Sequence, residues 1–239
     1  MSEATRDAIR GLLDKVDTSS AAAITDAAEL VLESVAAGGI VHVAGAGHSL
    51  VMVCETFYRA GGLAAVRPVW DPAVLPLTGA RRSTRVEREE GVGREVVRAA
   101  APAPPDIMVV FSTSGRNPYP VEIAQECAHR GVPVIAVTSI AASERSTPRA
   151  NGSLAEHATI VLDTGVPPGD IVHPPDAPRT SPVSTILGAY VWSVLLAELD
   201  ELAAARGHTL PRWTSANIPG GDEANAEFMA RYGDRIPEL

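Results

Sequence analysis

Two rhythms of hydrophobic positions alternate along the chain. Over residues 4–37, Ile9, Leu12, Leu13 and Val16, then Ile24, Ala27, Leu30, Val31 and Val35, recur every three or four residues, as on one face of a helix. Thr18, Ser19 and Ser20 interrupt this run, so two helices or one kinked helix are equal readings, and Gly38-Gly39 ends it. Residues 40–44, 65–69, 107–111, 133–138 and 159–163 follow another pattern: short, mostly apolar runs rich in β-branched residues, as in buried strands. Helical stretches separate the strands. One runs to Ala60 and is closed by Gly61-Gly62, one spans 86–100, one is opened by Pro118 and Pro120 and stopped at Gly131, and a long amphipathic one spans 183–206. The stretches 71–85, 139–151 and 165–182 carry neither rhythm and read as loops. A short turn is expected over 154–157, and beyond Gly207 only 223–232 has helical character.

Strands alternating with helices at this spacing predict an α/β fold, a doubly wound three-layer α/β/α sandwich around a five-stranded parallel sheet. In such folds ligands bind outside the carboxyl ends of the strands. A single domain is expected over 1–239, with an N-terminal helical segment (1–38), the α/β core (40–206) and a C-terminal tail (207–239).

Composition narrows the compartment and the partners. With 46% hydrophobic residues in 239, the chain can bury a full core, yet it contains no run of 18 apolar residues. The first ten residues carry acids in place of a basic then apolar stretch, so neither a membrane span nor a signal peptide is expected, and a cytoplasmic location is. Cys54 and Cys127 fall in predicted helices outside any CxxC pair and read as reduced core thiols. A net charge of −9 gives no footprint for nucleic acid or an anionic membrane. Lys15 is the one lysine against 19 arginines, and it lies in a predicted surface helix, which excludes Schiff-base and pyridoxal-phosphate chemistry.

The candidate chemistry sits where strands hand over to helices. Gly45-x-Gly47-x-Ser49 and Ser112-Thr113-Ser114-Gly115 place small or hydroxylic residues at helix starts, and Thr138-Ser139 repeats the idea after the next strand. Such turns aim unpaired amides at an anion, with the helix dipole behind them. The same residues are also ordinary helix caps, but a cap needs one hydroxyl and residues 112–114 supply three. A dinucleotide site is disfavoured: the first loop reads GAGHSL, with Leu50 where a third glycine belongs, and no acid closes the second strand, Asp71 already lying in a loop. No Walker A sequence is present, and no cofactor is expected.

These residues carry a resemblance. Gly45-x-Gly47-x-Ser49, Glu55 and Arg59 on the following helix, Phe111 with Ser112, Thr113, Ser114 and Gly115, and the Val134-to-Ser139 run are similar to the sugar isomerase (SIS) domain. The runs 55–62, 114–117 and 215–222 resemble a subgroup of uncharacterised bacterial proteins labelled phosphosugar isomerases, and the likeness covers nearly the whole chain. The resemblance implies a dimer or tetramer with sites near the subunit interface. It also implies that Ser49, Ser112, Ser114 and Thr138 bind the phosphate or sugar hydroxyls. Gly47, Thr113 and Ser139 belong to the same candidate loops, and Arg116 and Asn117 lie at a helix start, where a bound anion would relieve the conflict between a cation and the dipole.

In phosphoheptose isomerase, which the first half resembles, a glutamate four residues before an arginine is the catalytic base, a spacing that Glu55 and Arg59 keep. Moving a proton between adjacent sugar carbons calls for such a carboxylate and for an acid at the carbonyl oxygen. That family takes its partner histidine from the last long helix, but 183–206 contains none; His48 and His173 are the substitutes. The ligand set of metal-dependent members is also incomplete, so no essential metal is expected. The acidic cluster Glu87, Glu89 and Glu90 reads as a solvated helix start, and 169–170, 181–185 and 217–222 as segments shaping the site or interface.

The favoured function is an aldose–ketose isomerase acting on a sugar phosphate through an enediol. The alternative is a non-catalytic protein of the same fold that senses a phosphosugar; no DNA-binding helix-turn-helix is expected at either end. A scaffold without a ligand would leave the hydroxylic loops unexplained.

Overall fold

A computed structural model describes residues 3–147 and 149–239. The chain opens with α1 (Glu3–Ser19) and α2 (Ala21–Ala36), so the interruption at Ser20 separates two helices; the Ser20 hydroxyl donates to the Asp163 carbonyl at 2.8 Å and is drawn away from its own helix. Then follow β1 (Val41–Gly45), α3 (Leu50–Thr56), β2 (Val66–Val69), α4 (Ala80–Val86), α5 (Val92–Ala100), β3 (Ile107–Phe111), α6 (Pro118–His129) and β4 (Val134–Thr138). The chain continues through α7 (Ile140–Arg145), α8 (Leu154–His157), β5 (Ile160–Asp163), β6 (Ile171–His173), β7 (Thr180–Pro182), α9 (Ser184–Ala205) and α10 (Gly221–Tyr232).

β1 to β5 form the parallel sheet, in the order β2-β1-β3-β4-β5, registered as Val41 beside Val66 and Ile107, Met108 beside Val134, and Ile135 beside Ile160. Every residue of β1, β3 and β4 is buried, which is why these strands read as largely apolar runs, with His42 the exception in β1. α2, α3 and α9 cover one face, and α5, α6 and α8 the other. α5 and α6 approach so closely that a Cβ on Gly93 would lie 2.3 Å from the Tyr119 carbonyl oxygen. From β1 the chain steps outward to β2, then crosses back to β3, so the switch point lies between β1 and β3.

At the amino end of the sheet a polar cluster is tightly paired. The Asp106 carboxylate accepts from the Ile40 amide (2.9 Å), the Ala103 amide (3.2 Å) and Arg235 (2.7 and 2.8 Å), with His42 Nε2 at 3.3 Å. Burial alone would raise this carboxyl's pKa, but those hydrogen bonds outweigh it and hold it well below the usual range. Through Arg235 the same cluster ties down the tail.

Several loop expectations are corrected. Residues 71–85 contain two tight turns and then α4; the helix is only seven residues long and buries only Ser83 and Val86, too little to print a period. The helix expected over 86–100 begins only at Val92, because 87–91 turn the chain between α4 and α5. α3 stops at Thr56, short of Ala60, where Phe57 turns extended and Tyr58 takes a positive φ. The 139–151 stretch holds α7, capped by the Ser139 hydroxyl, and 165–182 folds into the β6–β7 hairpin. Cys127 is buried and its thiol is pushed up to about 12 by desolvation, whereas Cys54 is exposed and not a core thiol. Among the described residues no helix is long and apolar enough to cross a membrane.

Candidate functional site

A cavity of about 390 Å³ opens at the switch point, between the loops that leave β1 and β3. One wall is the 112–117 loop. Its carbonyls turn into the protein: Thr113 O accepts from the Ser139 amide (3.0 Å) and the Thr138 hydroxyl (3.3 Å), and Gly115 O from the Leu154 amide (2.8 Å). Gly115 closes the turn at φ +58, where a Cβ would meet Leu154 Cβ and Thr138 Oγ1, each at 3.1 Å. With the carbonyls committed behind the loop, amides and hydroxyls are left toward the cavity. Among the described residues the Thr113 and Ser114 amides and the hydroxyls of Ser49, Thr113 and Ser114 have no protein partner. α6 starts immediately beyond, with Pro118 at its first position. Unpaired amides and hydroxyls gathered in a loop of this kind form an anion seat.

His48 and Ser49, in the turn after β1, line the same cavity, as do Ser112, Thr113, Ser114 and Asn117. Arg145 and Ser146, at the end of α7, line the cavity too, the Ser146 hydroxyl donating to the Ala142 carbonyl at 2.7 Å. Across from them, Asp170 holds the start of α9, accepting from the Val183 amide (3.1 Å), the Ser184 amide (2.6 Å) and the Ser184 hydroxyl (2.7 Å). Glu87, immediately after α4, reaches the cavity as well. Burial pushes its carboxyl pKa up, against the lowering pull of Arg88, Arg149 and a hydrogen bond with Asn117.

Other sequence candidates stand elsewhere. Glu55 does not line the cavity; it lies at the end of the short α3 and pairs with Arg59 one turn on. His173 lies in the β6–β7 hairpin, its Nδ1 2.8 Å from Thr5 Oγ1, outside the cavity. Arg116 is turned back, its Nε donating to the Ser143 carbonyl at 2.9 Å. Thr138 and Ser139 are buried behind the loop, the Ser139 hydroxyl donating to Val166 O (2.7 Å). Gly47, at φ +59, turns the chain before His48 and is not among the residues lining the cavity. Of the segments without an assigned role, Gly169, Asp170, Ser184 and Thr185 line the cavity and 217–222 do not. Among the described residues no group of three His, Cys, Asp or Glu side chains is placed to hold a metal.

The sequence reading missed Arg145 and Glu87. Arg145 lay in a stretch without period, and Glu87 was grouped with its acidic neighbours.

Comparison with known proteins places this geometry. The structure resembles the phosphoheptose isomerase of Neisseria gonorrhoeae, with a TM-score of 0.54 at 20% identity over 82% of this chain and 94% of the other. It also resembles the NanR protein of Vibrio vulnificus complexed with ManNAc-6P, with a TM-score of 0.50 at 14% identity over 98% of this chain and 68% of that one. At such identities these likenesses concern the fold. A UPF0309 protein of Geobacillus kaustophilus is 36% identical over 217 residues, covering 89% of this chain and 86% of the relative. The model of the SIS domain matches residues 6–139, which include both hydroxylic loops of the cavity, and the chain belongs to the SIS-domain family, together with the UPF0309 proteins.

Proposed function

We propose that the cavity binds a phosphorylated sugar, with the phosphate on the 112–115 loop and the carbon chain extending toward His48 and Glu87. The observation that carries this reading is the set of unpaired amides and hydroxyls in the 113–114 stretch of the loop that leads into α6, in a cavity that Arg145 also lines. A phosphate monoester satisfies several such donors at once, and hydrogen bonds to a charged group are the stronger kind. The family and the folds of a phosphoheptose isomerase and of a ManNAc-6P-bound protein support the same ligand class.

The reaction that suits this cavity is aldose–ketose isomerisation through an enediol, using a carboxylate and His48 as proton carriers. Binding without turnover, as a sensor, is the second reading, favoured by the NanR likeness. We also propose a homodimer or tetramer: Val51 on α3 and Ile186 at the start of α9, on two helices packed together, remain 49% and 42% exposed. Light scattering that gives the 24.9 kDa mass of one chain would reject this assembly.

Thermal denaturation with five-, six- and seven-carbon sugar phosphates, each beside its unphosphorylated sugar, tests the ligand class. A bound ligand raises the midpoint by mass action. The expected result is a rise with a phosphosugar alone, strongly reduced in Ser114→Ala. Loss of a hydrogen bond to a charged group corresponds to about tenfold or more in affinity. No rise with any phosphosugar refutes the proposal.

A further inference from the structure

We infer that Glu87 is the catalytic residue that carries the carbon-bound proton in the isomerisation proposed above, an inference that rests on that reading of the cavity. Two carboxylates, Glu87 and Asp170, line the cavity, and they differ in what they are free to do. Both oxygens of Asp170 are held by the start of α9. Glu87 makes no salt bridge among the described residues, and its one side-chain partner is the neutral Asn117, whose amide oxygen is itself held by Arg149 at 3.0 Å. Other buried or paired glutamates are committed elsewhere: Glu122 to the Gly91 and Gly93 amides and Arg94, Glu55 to Arg59.

The backbone holds Glu87 in position. Its amide donates to Ser83 O (3.1 Å) and its carbonyl accepts from the Tyr119 amide (3.3 Å), fixing it between the end of α4 and the first turn of α6. Its carboxylate lies against the turn after β1: a Cβ built on Gly47 would be 3.5 Å from Glu87 Oε2. That turn also carries His48, so the two proton carriers meet the cavity where the turn after β1 borders it. Desolvation moves the carboxyl toward the working range of a base near neutrality, with Arg88, Arg149, His48, Arg145 and Asp170 as the charged or titratable groups around it.

The step balances within the substrate and these two residues. Glu87 takes the proton from C2 of the open-chain aldose phosphate, the C–H electron pair becomes the C1–C2 double bond, and the carbonyl oxygen on C1 takes a proton from His48. In the second half the hydroxyl on C2 returns its proton to His48, the C2 carbonyl forms, and Glu87 delivers its proton to C1.

The test is proton exchange in D₂O followed by NMR, using ribose 5-phosphate, glucose 6-phosphate and sedoheptulose 7-phosphate as probes, alongside the thermal shift. The expected result is exchange by the wild type that falls by about 10²–10⁴-fold in Glu87→Gln while the phosphosugar shift is kept. Glu87→Asp, which retains a carboxylate one methylene short, restores measurable exchange and shows that the loss is not one of folding. Exchange undiminished in Glu87→Gln, or abolished in Glu55→Gln alone, overturns the assignment and leaves the cavity reading standing. A wild type that shifts with a phosphosugar but exchanges no proton also overturns it, in favour of the sensor. No shift at all removes the cavity reading and Glu87 with it.

Discussion

The two ends of one sheet treat polar groups in opposite ways. At the amino end, Asp106 gathers two backbone amides, His42 and Arg235 around one carboxylate. At the carboxyl end, the amides of Thr113 and Ser114 and three hydroxyls stand unpaired beside a cavity. Satisfied buried polar groups fix a structure, whereas unsatisfied ones facing an open cavity are held ready for something that is not the protein. The difference separates polar residues committed to the fold from those left open to a cavity, without reference to any relative.

The largest expected effect breaks the paired end. Asp106→Ala leaves the Ile40 and Ala103 amides and Arg235 without their acceptor, and is expected to cost about 3–5 kcal/mol in urea unfolding. The folded-state pKa of Asp106 is depressed, so its contribution is complete above the unfolded carboxylate value and is lost as pH falls through the folded one. The gap between wild type and variant should therefore be constant from neutrality down to about pH 5 and shrink below about pH 4. A gap that widens on acidification would show that the carboxylate is not what holds this end.

A middling effect is expected where the open end borrows its shape from the core. Gly115→Ala puts a side chain at positive φ against Leu154 and Thr138, and is expected to cost about 1–3 kcal/mol and to weaken phosphosugar binding together with stability. The smallest effect sharpens the comparison most. Ser114→Ala, with no protein partner to lose, should change the stability of the free protein by less than about 0.5 kcal/mol. A larger loss would mean that the hydroxyl already serves the fold.

How much of this was legible depended on whether a residue's burial was written in its neighbours. Residues 107–111 and the Ser112-to-Gly115 turn were readable because a strand covered on both faces gives an unbroken apolar run, and glycine and hydroxyls mark its exit. α4, α7 and the β6–β7 hairpin were not, since elements of three to seven residues that bury one or two side chains leave no period. Arg145 and Glu87 were lost for that reason, as both sit at the ends of those short helices. Glu55 was chosen by its spacing from Arg59, and spacing cannot tell that α3 ends after seven residues with that pair outside the cavity.

The support behind Gly115 also bears on how such a pocket diversifies. Leu154 and Thr138 press on the loop from the side opposite the cavity, so the curvature presented to a ligand is inherited from residues that never meet one. A change of volume at position 154 would then reshape the loop while every hydroxyl stays in the sequence. Comparing only the residues that touch a ligand would miss that divergence.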